Sequence, residues 1–203
     1  MNGRRGVLMG IVVAGAALAL VVPVLGQQAA TPQGPTKERP LRFSAFAVSM
    51  QAGAAGRVDI AIERWTTDAE RQMLLKEITG TKFGAPGQEK FLRALQDVKP
   101  RTGYIRTTTS LGWDLKYAWE RKLPDGTRQI VIATDKPVSF LAAARQARTM
   151  DYPFTFVEMR FGKDGKGEGR LLAGTAVSYA KGTLELENYG QEPVRLTSIT
   201  QEK

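Results

Sequence analysis

Histidine and cysteine are both absent from the chain, so any chemistry falls to carboxylates, hydroxyls and cations. A Ser-His-Asp hydrolase is impossible, there is no thiolate nucleophile, and the usual zinc and copper ligands are missing. Three acids stand out by position. Asp114 and Glu120 share the polar face of an apolar strand, and Glu158 interrupts another strand between Val157 and Met159, next to Arg160. Glu185 and Glu187 form a further same-face pair. Two carboxyl groups at the right separation hydrolyse a glycosidic bond, one as acid and one as nucleophile or base. Asp114, Glu120 and Glu158 are the candidate catalytic set, although ion pairing and solvation are the simpler account of them.

The glycine-rich run Gly162-Lys163-Asp164-Gly165-Lys166-Gly167-Glu168-Gly169 lacks the Ser or Thr after a Lys, and the following helix, that a phosphate cradle needs. Asp164 and Glu168 supply too few oxygens for calcium. It reads as a hairpin turn, and no metal or cofactor is expected.

The acids must be positioned by β structure. Residues 112–134 read as one β-hairpin, with Trp113, Leu115, Tyr117 and Trp119 on one face and Asp114, Lys116 and Glu120 on the other. The turn is Leu123-Pro124-Asp125-Gly126-Thr127, and residues 128–134 return. Trp113, Tyr117 and Trp119 are a candidate binding face, with sheet packing as the simpler role for such large apolar groups.

Alternation also marks a strand from Leu41 to about Gln51, and another from Arg57 to Trp65 after the small link Ala52-Gly53-Ala54-Ala55-Gly56. Thr67-Asp68-Ala69-Glu70 is a capping box opening a helix with Met73, Leu74, Leu75 and Ile78 on its apolar side and Gly80 as its stop. A second helix runs from about Gly87 to Val98. Strands are expected over residues 103–108, 154–161, 170–179 and 194–200, with a crossing through Leu184 and Leu186, and a short helix within 137–150. In the last strand Val194, Leu196 and Ser198 alternate against Arg195 and Thr197, and this strand is a candidate edge, either for pairing with a second copy or with Arg195 and Lys203 as the charges that discourage such pairing. The fold class is α+β: a mostly antiparallel β-sandwich or partly closed β-barrel of about nine strands with an inserted αα-hairpin.

The N-terminus reads as an address. Arg4 and Arg5 precede an unbroken apolar and small run over residues 7–22, closed by Pro23-Val24-Leu25-Gly26. Residues 1–26 are expected to be a secretory signal peptide cut after Gly26 or Ala30. The alternative is an uncleaved inner-membrane anchor over residues 7–25, close to the roughly 20 residues a span requires. No Cys follows to carry a lipid. Residues 27–40, with three Pro and no large apolar side chain, are an expected disordered linker, and residues 41–203 a single domain. Formal charge is +9 and falls by two without Arg4 and Arg5. Such a basic surface suits anionic partners, yet its cations are scattered, which argues against nucleic acid.

The segments Gly103-Tyr104-Ile105-Arg106, Ile132-Ala133-Thr134-Asp135, Asp151-Tyr152-Pro153-Phe154, Gly165-Lys166-Gly167-Glu168-Gly169 and Glu187-Asn188-Tyr189 resemble those of a group of exported bacterial proteins with no assigned activity. The resemblance spans most of residues 41–200. It implies export and one domain, and carries over no site residue. The leading expectation is a periplasmic or cell-envelope protein that binds a ligand or protein partner without catalysis, touching membrane only through an uncleaved N-terminal segment. A carboxylate-dependent glycan hydrolase and a polyanion-binding surface protein are the alternatives.

Overall fold

A computed structural model describes residues 34–79, 85–138, 153–180, 183–187 and 192–202. The alternation from Leu41 forms strand β1 (Leu41–Ser49), with Phe43, Ala45 and Ala47 buried. It returns as β2 (Ala54–Ile62) in unbroken register from Leu41 opposite Ile62 to Ser49 opposite Ala54. Thus Ala54, Ala55 and Gly56 belong to the strand and not to a flexible link: ladder pairing to β1 overrides their low β propensity. The strand also stops at Ile62, short of Trp65, because the amides of Glu63 and Arg64 turn to the carbonyl of Thr102.

Two helices follow, α1 (Asp68–Ile78) and α2 (Ala85–Asp97), then β3 (Gly103–Thr107), β4 (Trp113–Leu115), β5 (Tyr117–Lys122), β6 (Arg128–Thr134), β7 (Thr155–Phe161), β8 (Gly167–Ala173), β9 (Ala176–Ala180), β10 (Thr183–Glu187) and β11 (Val194–Gln201). Nine strands make one antiparallel sheet in the order β4-β3-β2-β1-β11-β8-β7-β6-β5; β9 and β10 form a separate ribbon. The two ends of that order, β4 and β5, are consecutive in the chain and separated by Lys116 alone. Leu115 accepts from the Thr102 amide on one side at 2.8 Å, and the Lys116 amide donates to Ala133 on the other at 2.9 Å. The sheet is therefore nearly closed into a barrel.

That closure corrects the single long strand expected over residues 113–120. Leu115 and Ala118 both enter the barrel core, with Trp113 packed against it, whereas Tyr117 packs outside under the helices. Strict alternation forbids Leu115 and Ala118 from sharing a face; one extra residue at the handover, Lys116, switches the parity, as a bulge does. The aromatic stripe is thus split between the inside and the outside of the barrel. The β5–β6 hairpin itself forms in the expected register, Tyr117 opposite Ala133 through Lys122 opposite Arg128.

Four further expectations are corrected. β11 is not an edge: β1 and β8 take up its two sides. Its alternation breaks at Ser198, a non-glycine residue at φ 51° where both ladders shift register, so that Leu196 and Ile199 are the buried positions. The run over residues 170–179 is cut at Gly174, φ 64°, into β8 and β9. The glycine-rich turn ends at Lys166, and Gly167 and Gly169 lie within β8. A Cβ at Gly169 would come within 2.3 Å of the Glu158 carbonyl oxygen, so that close approach of β7 to β8 needs the bare backbone.

Phe43, Ile60, Ile62, Ile105, Ile130, Ile132, Met159 and Leu171 fill the barrel, each contributing about 1.5–3 kcal/mol by burial. A second cluster lies on the outer wall, where Leu74, Ile78, Phe91 and Leu95 of the helices meet Ala133, Phe154, Phe156 and Val177. The capping box forms as read: the Glu70 amide donates to Thr67 Oγ1 and the Thr67 amide to the Glu70 carboxylate, which also takes two 2.8 Å bonds from Arg64. At the other end of α1, Thr79 caps in an extended conformation; Gly80 and most of the helix expected within 137–150 lie outside the described residues. Met73 faces solvent instead of the core, at 37% exposure. Gln88, fully buried on α2, uses its amide to bond both the N–H and the carbonyl of Val177, tying the helix to β9.

Candidate functional site

Four strands of the outer wall, β5 to β8, carry their outward side chains in rows fixed by register. Tyr117, Ala133, Phe156 and Leu172 form an apolar row. One step along the strands, Trp119, Val131, Glu158 and Arg170 form a mixed row, and beyond it Arg121, Gln129, Arg160 and Glu168 form a polar one. Polarity thus rises in one direction across the wall. Opposite it stand Arg71, Leu74, Leu75 and Ile78 of α1, Phe91 and Leu95 of α2, Tyr179 of β9 and Leu186 of β10, leaving a groove of about 530 Å³.

The charged end is organised around two centres. At the first, Glu158 accepts from Arg160 and Arg170, each at 2.8 Å, and from the Gln129 amide nitrogen. Burial pushes the Glu158 carboxyl up, but the hydrogen bonds from Arg160 and Gln129 and the charges of Arg170 and Arg160 together outweigh it and hold it below the usual glutamate range. It is therefore an ionised acceptor at neutral pH and a poor general acid. At the second centre, Arg71 and Arg121 lie over the Trp119 ring at 4.6 Å and 5.7 Å from its centroid. Arg121 also donates to the Gln129 carbonyl oxygen. Burial raises the Tyr117 hydroxyl above its ordinary value, against the pull of Arg71 beside it. Four arginines and one carboxylate line the groove.

The three acids singled out in the sequence are not brought together. Asp114 is exposed on the outside of β4 and accepts from Arg101 at 2.8 Å; that arginine also grips Glu63 through two bonds. Glu120, shifted in parity by Lys116, turns to the barrel's inner side, where Arg128 holds it at 2.7 Å from over the rings of Phe43 and Phe161. Asp114 and Glu120 therefore occupy opposite faces, not one. Only Glu158 joins the groove. Of the aromatic candidates, Tyr117 and Trp119 line it and Trp113 does not. The Glu185 side chain lies outside the described ones.

Comparison with family models, curated proteins and solved structures finds no match. Among the described residues, no group of three or more acids stands ready for a metal and no helix is long and apolar enough to cross a membrane. What the groove offers is an apolar floor with guanidinium donors at one end. Sequence reading placed Arg160 beside Glu158 but missed Arg71, Arg121 and Arg170. The alternation of Arg121 with Trp119 was the available signal, but Arg71 reaches the same ring from a different element.

Proposed function

We propose that the protein is an exported, non-enzymatic binding protein of the cell envelope that takes a small ligand in the groove between the outer barrel wall and the helices. The groove carries this reading: its 530 Å³ falls within the roughly 300–1,000 Å³ of small-molecule sites, and it joins apolar lining to a few fixed polar groups. Export is supported by Arg4, Arg5 and the apolar run over residues 7–22. The hydrolase alternative finds little support in acids that are separated and each neutralised by arginine.

Thermal unfolding against a panel of fatty acids, glycans, nucleotides and heparin tests the reading. A ligand at a hundred times its dissociation constant adds about 2.7 kcal/mol, a rise of roughly 5–10 °C. Val131→Arg, which places a long cation in the middle of the groove, is expected to abolish that rise. A rise that survives the substitution places the site elsewhere. Fractionation of cells expressing the tagged full chain tests export, which recovery in the cytosol would contradict.

A further inference from the structure

The proposed groove holds more positive charge than its own carboxylate can answer, and that excess is localised. Glu158 occupies Arg160 and Arg170. Arg71 has Asp68 at 3.4 Å, but Asp68 is 95% exposed and its charge is shared with water. Arg121 meets the neutral amide of Gln129 and the Trp119 ring and lies near the neutral Tyr117 hydroxyl, with no carboxylate paired to it among the described residues. Stacking on Trp119 fixes both guanidinium groups while leaving N–H edges to donate.

We propose that the ligand is a fatty acid: its carboxylate is held between Arg71 and Arg121 beside Trp119, and its single acyl chain lies on the apolar row beneath Leu75 and Leu186. A carboxylate only accepts hydrogen bonds and a guanidinium only donates them, so the head matches the donors in both charge and geometry. The row order matches the ligand's own gradient, since Phe156 and Leu172 lie one step from Glu158 and Arg170 on the side away from Gln129. A volume of about 530 Å³ suits one chain better than the two of a phospholipid. A neutral glycan would leave both guanidinium groups without an anion.

This inference rests on the groove being the ligand site, and the test separates the two. The full chain, purified as the cell processes it and stripped of lipid, is titrated with dodecanoic acid and with dodecanol by Trp fluorescence and calorimetry. Saturable binding is expected, at least tenfold tighter for the acid and weakening as salt rises. The combined Arg71→Gln and Arg121→Gln substitutions are expected to reduce the acid's affinity to that of the alcohol. Equal affinity for acid and alcohol in the unmodified chain overturns the carboxylate assignment and leaves a groove-binding protein. Acid binding that survives Val131→Arg overturns both. The acid–alcohol comparison needs no variant, so it stands even if the double substitution fails to fold.

Discussion

Gln129 sets the order of charges at the polar end of the groove. Its carbonyl oxygen accepts from Arg121 and its nitrogen donates to Glu158, so one neutral amide is oriented by a cation on one side and an anion on the other. Gln129→Leu keeps the bulk and removes both bonds, and should cost about 1–3 kcal/mol in urea unfolding at neutral pH. Glu158 adds a pH signature. Its folded-state value lies below the ordinary one, so the ionised carboxylate stabilises the fold fully above the ordinary glutamate value of about 4.3, and that contribution fades as pH falls through the lower folded value. Glu158→Gln should therefore cost about 1–2 kcal/mol at neutral pH, allowing for solvent screening of partly exposed partners. The gap from the unmodified chain should close on acidification below the folded value; a gap that ignores pH would show that the charge does not matter.

At the scale of elements, the helical hairpin is held to the wall by apolar packing plus two polar devices of different legibility. Thr67 and Glu70 form their box within four residues, and such local hydrogen bonding is written in the sequence. Thr67→Ala should lower stability by about 1 kcal/mol, roughly 2–4 °C, measured by thermal melting. The second device, Gln88 on the backbone of Val177, joins residues 89 apart, and no periodicity announces it. Gln88→Leu buries no worse a shape but leaves the N–H and carbonyl of Val177 without these partners, which should cost about 1–3 kcal/mol. Hydrogen exchange should speed up first in β9, while the barrel strands keep their protection. Equal loss throughout would mean that α2 and β9 unfold only with the barrel.

For the molecule as a whole, what could be read in advance was the mostly antiparallel pairing and the alternation of Leu41, Phe43, Ala45 and Ala47, with sandwich and partly closed barrel both left open; what could not was closure itself and anything set by it. The parity change at Lys116, the bulge at Ser198 and the rows that bring Trp119 level with Glu158 all depend on which strands become neighbours, a nonlocal outcome. The groove inherits that dependence, because without the switch at Lys116 the outward pair Tyr117 and Trp119 would point into the barrel. Closure also yields a test. In an open sheet the Lys116 amide would lie at a free edge, and proline there would cost little. In the closed arrangement that amide donates to Ala133 at 2.9 Å, so Lys116→Pro removes a joining bond and leaves a carbonyl without its donor, at a cost of about 1–3 kcal/mol. The expected result is a melting temperature lower by about 2–12 °C, with faster exchange at both β4 and β5. A melting temperature unchanged by proline would mean that the two ends of the strand order are independent edges, and that the outer rows owe nothing to closure.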